Sequence, residues 1–151
     1  MEPPERIVSA TRVIAAGADR IFELIADPAR QPEWDGNDNL ASAAPGQRVR
    51  RVGDVFTTKL TNGAARENHV VEFIEGSRIA WRPAEPKKLP PGHLWRWELS
   101  PISTDLTTVT HTYDWTQLTD STRMARASST TAEMLRASMD RLAALAQGGD
   151  G

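Results

Sequence analysis

TTAEMLRASMDRLAALAQ, residues 130 to 147, is the stretch around which the rest of the chain can be arranged. Advancing 100° per residue puts Thr131, Met134, Leu135, Ser138, Met139, Leu142, Leu145 and Ala146 on one stripe of a helix. Glu133, Arg136, Asp140 and Gln147 fall on the other face, with Arg136 and Asp140 at the i,i+4 spacing of an ion pair. Thr130-Thr131-Ala132-Glu133 reads as a capping box at the start. Gly148 and Gly149 read as a stop, because glycine adopts the left-handed turn that ends a helix. About 18 residues make a rod of roughly 27 Å, long enough to lie across a small sheet. The middle of its apolar stripe carries Thr131 and Ser138 where large aliphatics are the norm. Two readings stay open. Either Ser138 bonds back to the Met134 carbonyl, or the helix covers a cavity without filling it.

What the helix lies against is written upstream, where the hydrophobic period is two. Strands are expected at about Asp54–Thr61, Ala64–Glu75, Ser77–Pro83, Gly92–Ile102 and Asp105–Thr116. Asn62-Gly63 is a strong hairpin signal, and Glu75-Gly76 and Ser103-Thr104 supply further tight links. Such short links make neighbouring strands antiparallel, since parallel strands need long crossovers. Val109, His111, Tyr113 and Trp115 alternate with Thr108, Thr110, Thr112 and Asp114. His93, Trp95, Trp97 and Leu99 alternate with Leu94, Arg96, Glu98 and Ser100. Ile79 and Trp81 oppose Ala80 and Arg82, while Val71 and Phe73 oppose Val70 and Glu72. One face is aromatic and the other wet, as in a sheet covered on one side.

Before these strands, Arg6–Ala15 reads as a first strand whose inward face is open, because Ile7 and Val13 compete with Val8 and Ile14. Ala18, Ile21, Phe22 and Ile25 mark a short amphipathic helix over Ala18–Ala26. Asp27-Pro28 opens another short helix that ends near Trp34. Asp35–Gly46 is a loop with a brief strand near Leu40. The fold class is therefore α+β: a curved antiparallel sheet of six to seven strands wrapped around a long C-terminal helix, with two short helices after the first strand.

With 151 residues, 39% hydrophobic and 25% charged, and a mean hydropathy of -0.47, the chain suits one globular domain over 1–151. Its ordered core is expected at about residues 6–147. No apolar run approaches the ~20 residues of a membrane span, so no integral membrane association is expected. The Met-Glu-Pro-Pro-Glu-Arg start lacks the features of a signal peptide, and the cytoplasm is the expected location. The absence of cysteine excludes disulfides and thiolate chemistry. A net charge of -2 gives no general attraction to nucleic acid. Arg48, Arg50 and Arg51, like Lys87-Lys88, read as solvated charge. There is no phosphate-binding glycine loop, and no cofactor is expected.

The order of elements and several motifs resemble the START-like or SRPBCC superfamily, the helix-grip fold, and within it the bacterial polyketide cyclase/dehydrase-like branch. The resemblance is carried by Ala18-Asp19-Arg20-Ile21-Phe22-Glu23-Leu24-Ile25-Ala26-Asp27-Pro28 with Trp34 after it, and by Arg78-Ile79-Ala80-Trp81-Arg82. Further matches are Trp95-Arg96-Trp97-Glu98-Leu99, Thr108-Val109-Thr110-His111-Thr112-Tyr113-Asp114-Trp115 and the Leu135–Leu145 helix. It spans nearly the whole chain, and it implies a deep apolar cavity between sheet and helix. In that superfamily such cavities bind lipids, sterols and polyketides; some members are cyclases or dehydratases, some carriers, and some regulate chaperones. Fold does not choose among them.

The candidate ligand wall is Trp34, Phe56, Glu67, His69, Val71, Phe73, Trp81, Trp95, Trp97, Val109, Trp115, Thr131, Leu135 and Ser138. Aromatic walls with a few polar tips suit an apolar ligand; the alternative is that these rings only fill the core. His111 is the candidate acid or base, being the side chain that titrates near neutrality, and Tyr113 a donor to a developing oxyanion. Their alternative is a buried strand histidine satisfied by a neighbour. His69, His93, His111 and Glu67 lack the compact spacing of a metal motif, and no metal is expected. Asp35–Gln47 and the proline-rich Pro83–Pro91 border the expected opening, where Lys87 or Lys88 would meet a ligand carboxylate. The expected partner is a small hydrophobic molecule, with cyclase/dehydratase chemistry and a chaperone-regulator role as alternatives. A homodimer through edge strands is a further alternative.

Overall fold

The alternating segments form one seven-stranded antiparallel sheet in a computed structural model that describes residues 6–148. The strands are β1 Ile7–Ile14, β2 Leu40–Ser42, β3 Val55–Leu60, β4 Ala65–Ile74, β5 Arg78–Ala84, β6 Leu94–Ser103 and β7 Leu106–Asp114. They lie in the order β1-β7-β6-β5-β4-β3-β2, so the first strand closes onto the last and the remainder is a meander. The tip at Asn62-Gly63 works as its composition requires. Gly63 sits at φ 91° and the Asn62 Oδ1 accepts the Ala64 amide at 2.9 Å. β1 turns Val8, Ala10 and Ile14 inward and leaves Ile7 and Val13 exposed. Leu94, expected on the wet face, is buried.

The alternation fails at one place. In β4 the pairing with β5 shifts register between Val70 and Glu72, leaving Val71 as the extra residue of a bulge. Since side chains alternate with a period of two, one inserted residue reverses every assignment on its far side. Phe73 keeps its inward position, edge-on to Phe22 at 5.7 Å. Upstream of the bulge the inward positions are Val70, Asn68 and Arg66; Val71 is exposed, and Glu67 and His69 lie on the other side of the strand.

The helices are α1 Ala18–Ala26, α2 Gln31–Trp34, α3 Met124–Ser128 and α4 Ala132–Gln147. A 3-10 turn, Pro28–Arg30, opens α2, and Asp27 caps it through its carboxylate and the Ala29 amide at 3.2 Å. α3, preceded by the turn Ser121–Arg123, was not expected from the sequence. It alters the start of the long helix. Thr130 is consumed in closing α3, with its amide on the Ala127 carbonyl and its hydroxyl on that of Arg126. Thr131 therefore caps α4 in its place, accepting the Met134 amide at 3.3 Å, and the expected Thr130–Glu133 box does not form. At the other end Gly148 stays helical, with φ -63° and ψ -20°. The last carbonyls are taken instead by the Arg20 guanidinium, 2.7 Å from Ala146 O and 3.1 Å from Leu145 O, a cation where the helix dipole favours one. Gly149 lies outside the described residues.

Charges expected to be solvated or local are also redirected. Asp140 pairs with Arg12 of β1, not with Arg136. Arg48 ties Glu23 of α1, at 2.9 Å, to Glu75, at 2.7 Å, and covers the Phe22 ring. Among the described residues no helix is long and apolar enough to cross a membrane.

α4 lies in the concave face of the sheet, and the segment after α2 holds it there. A β-carbon on Gly36 would stand 2.3 Å from the Ala137 carbonyl carbon and 2.6 Å from Ser138 N. The Gly36 amide donates to Ser138 Oγ at 3.0 Å, Asn37 Nδ2 to Met134 O at 2.9 Å, and Arg141 to Asp35 O at 2.9 Å. Gly36→Ala should lower unfolding free energy by at least about 2 kcal/mol, because backbone cannot yield as a side chain does. Ser138→Ala, which orphans one amide, should cost about 1 kcal/mol. Urea unfolding of both variants checks the order of the two effects.

Candidate functional site

A cavity of about 300 Å³ remains between α4 and the sheet, at the small end of ligand sites. Its floor is aromatic because β5, β6 and β7 present their inward residues side by side. Trp81 pairs across strands with Trp95, Trp95 with Tyr113, and Trp97 with His111. The Trp97 and His111 rings stack at 3.7 Å with 12° between planes, and Trp95 approaches Tyr113 at 4.4 Å. Trp34 meets Trp97 edge-on at 5.2 Å and anchors its indole N–H on the Leu24 carbonyl at 2.8 Å. Met134, Leu135 and Ser138 of α4 form the roof.

Several of the polar groups on this wall are already committed to partners within the protein. His111 Nδ1 lies 3.0 Å from the Arg96 carbonyl oxygen. A carbonyl can only accept, so Nδ1 carries the proton and Nε2 is left as the acceptor of a neutral ring. Burial pushes the His111 pKa down to about 4, and the bond to the Arg96 carbonyl offsets only part of that. Burial likewise pushes Tyr113 up to about 12, so the phenol keeps its proton. Together they present one acceptor and one donor. His111 is a much weaker base than a free imidazole. Asn68 Nδ2 is held by Phe56 O and Thr58 Oγ1, each at 3.1 Å, and Gln31 Nε2 by Ile25 O.

Of the expected residues, Trp34, Trp81, Trp95, Trp97, His111, Tyr113, Leu135 and Ser138 lie on the cavity wall. Phe56 and Val109 are buried behind it, Phe56 edge-on to Trp81 at 5.3 Å. Trp115 is buried under the Arg6 guanidinium, and Phe73 belongs to the contact with α1. Val71 is removed by the bulge, as are Glu67, which accepts the Lys87 amide, and His69, which pairs with Arg82 across β5. Thr131 is an exposed cap. Ser138 answers neither open reading alone: it lines the cavity, and its hydroxyl accepts from Gly36, not donating to Met134. Among the described residues no three His, Asp or Glu side chains converge as metal ligands.

Sequence reading missed Arg66 and Asn68, which the bulge brings inward, Thr58, which shares the buried face of β3 with Phe56, and Arg123 and Arg126; His93, read inward with Trp95 and Trp97, is also on the wall. The unforeseen α3 and the turn before it carry the last two arginines. The loop after α2 contributes Asp35, Asn37, Asn39 and Leu40, so it borders the cavity as expected, whereas Lys87 and Lys88 are not on the wall. Lys88 pairs with Glu85.

The chain matches the family described as polyketide cyclase / dehydrase and lipid transport over residues 5–147. An uncharacterised protein of Mycobacterium tuberculosis, Rv0088, is 33% identical over 111 residues, covering 72% of this chain and 47% of that protein. The chain thus spans about half the length of the curated relatives it matches. DynU16, from the dynemicin biosynthetic locus, has the same fold at a TM-score of 0.65 and 20% identity, over 96% of this chain and 49% of that one. The Aha1 dimer from Colwellia psychrerythraea aligns at 0.63 and 19%, over 96% and 98%. At such identities the likeness speaks for the helix-grip fold alone.

The depressed histidines give a signed pH dependence. The folded pKa values of His111 and His93 are about 4, below the unfolded value near 6.5. The stabilisation is therefore complete above pH 6.5 and is lost as pH falls toward 4. His111→Asn should reduce the loss between pH 7 and 5 by about 2 kcal/mol. Denaturant unfolding at both pH values, with imidazole NMR titration, measures it.

Proposed function

Because the chain belongs to the polyketide cyclase/dehydrase and lipid transport family, we propose that it binds a small, largely apolar molecule between sheet and α4, and that binding, not turnover, is its main task. The observation that supports this is the open aromatic wall. Trp95 is only half-buried on the cavity side while Trp97 behind it is fully buried, so ring surface is available where a packed core would have closed. Rigid aromatic surface binds apolar ligands at small entropic cost.

His111 supports the same choice. A base that removes a proton from carbon works best with a pKa near the working pH, and here burial holds the ring near 4. Its neutral Nε2 and the Tyr113 phenol are better suited to orienting a carbonyl or hydroxyl of the ligand. A cyclase/dehydratase reading keeps one observation in its favour: the acceptor and the donor sit two residues apart on one strand and both line the cavity.

Trp95→Ala should weaken binding of an apolar probe such as Nile red about tenfold, a loss typical of one buried aromatic contact. His111→Asn, which retains a donor for the Arg96 carbonyl, should change it less than about threefold. Native mass spectrometry of freshly purified protein should show a bound apolar compound. A protein that carries none and takes up no polyketide, flavonoid or fatty-acid probe would overturn the reading. Conversion of a poly-β-ketone that disappears in His111→Asn would replace it with the enzymatic one.

A further inference from the structure

The cavity wall holds three arginines, Arg66 from β4, Arg123 from the turn before α3 and Arg126 from α3. They are close enough to oppose one another's charge. Burial and then repulsion from Arg123 make the charged form of Arg66 less favourable than in water; Glu85 opposes them in part, and Arg126 adds a smaller repulsion. His93 beside them is depressed by burial and by the same three arginines with Arg82. Gathering like charges around a half-dry opening is costly unless an anion completes the set.

The protein's own carboxylates do not complete it. Arg123 is held by Glu85 at 3.1 Å and Asp120 at 3.2 Å. Glu85 also meets Lys88, and Asp120 is occupied by the amide and hydroxyl of Thr122. Asp35, on the wall, accepts the amides of Asn37, Asn39 and Leu40. Among the described residues the Arg66 guanidinium donates only to the neighbouring Ala65 carbonyl, at 2.8 Å. Among the described residues neither Arg66 nor Arg126 has a carboxylate partner. The two guanidiniums without a carboxylate differ in exposure: Arg66 is half-buried and Arg126 exposed.

We propose that the ligand is an apolar carboxylic acid, its carboxylate held at the opening between Arg66 and Arg126 and its apolar body directed inward against Trp95 and Trp97. The inference rests on the binding reading above and adds the head group. Planar guanidinium forks match a carboxylate in geometry as well as charge. Arg123, fixed by its two acidic partners, contributes field without having to move.

The test is displacement of the neutral dye Nile red at pH 7.5 by decanoate and by decanol, which share a chain and differ in charge. Decanoate should displace the dye at about a tenfold lower concentration, the scale of a charge-assisted hydrogen bond or two. In Arg66→Gln/Arg126→Gln the preference should vanish while decanol is unchanged. Arg126→Gln alone, at an exposed position, should cut it at least about threefold, which keeps the test independent of any folding defect from Arg66. Lys87→Gln/Lys88→Gln should retain it. Equal displacement by acid and alcohol, or a preference that survives the double substitution, overturns the carboxylate inference and leaves the apolar-ligand reading intact. Displacement by neither overturns both.

Discussion

Gly36 rests on the backbone of α4 with no room for a β-carbon, and its amide is satisfied by the Ser138 hydroxyl. The rest of the site depends on this contact. It sets how closely the segment after α2 can approach the terminal helix, and Asn37 and Arg141 extend it by a turn in each direction. Trp34, one residue before that segment, is thereby brought edge-on to Trp97 of the sheet. Residues from both ends of the chain thus enclose one cavity. A large side chain at 138 would have pushed the loop off the helix, so a small polar residue stands at the centre of an otherwise apolar stripe.

The cavity divides its polarity by depth. On the floor, His111 is neutral between rings and spends one nitrogen on a backbone carbonyl, since a charge there would lack both water and a counter-ion. At the opening, charge is tolerated because solvent reaches it, and three arginines gather there with fewer acidic partners than they could engage. Such an arrangement fits the proposed ligand, with an apolar body inside and an anionic end at the rim. It offers weak support for proton abstraction at depth.

Much of the fold was readable locally. The limits of α1, the Asn62-Gly63 tip, and the inward set Trp95, Trp97, His111 and Tyr113 follow from periods and turn chemistry that each segment carries within itself. The errors share a cause. Glu67, His69 and Val71 were assigned by counting in twos through β4, and a bulge at Val71 changes the count. The Thr130 cap failed because Thr130 already closes α3, and Asp140 pairs with Arg12 of β1, a partner that helical spacing cannot show. Arg66, Arg123 and Arg126 give no signal in sequence, because Arg66 lies more than fifty residues before the other two and each is unremarkable as a single surface charge.

The sequence by itself determined the order of elements, the antiparallel sheet, the covered aromatic face and the long helix that covers it. These rest on interactions between residues a few positions apart, or on a periodicity that one strand displays alone. Tertiary structure alone decided the parity of β4, the tether at Gly36, the cap supplied by Arg20 and the meeting of three arginines on the cavity wall. Each of those depends on two distant segments meeting at a particular register, and no local pattern encodes the register of a partner.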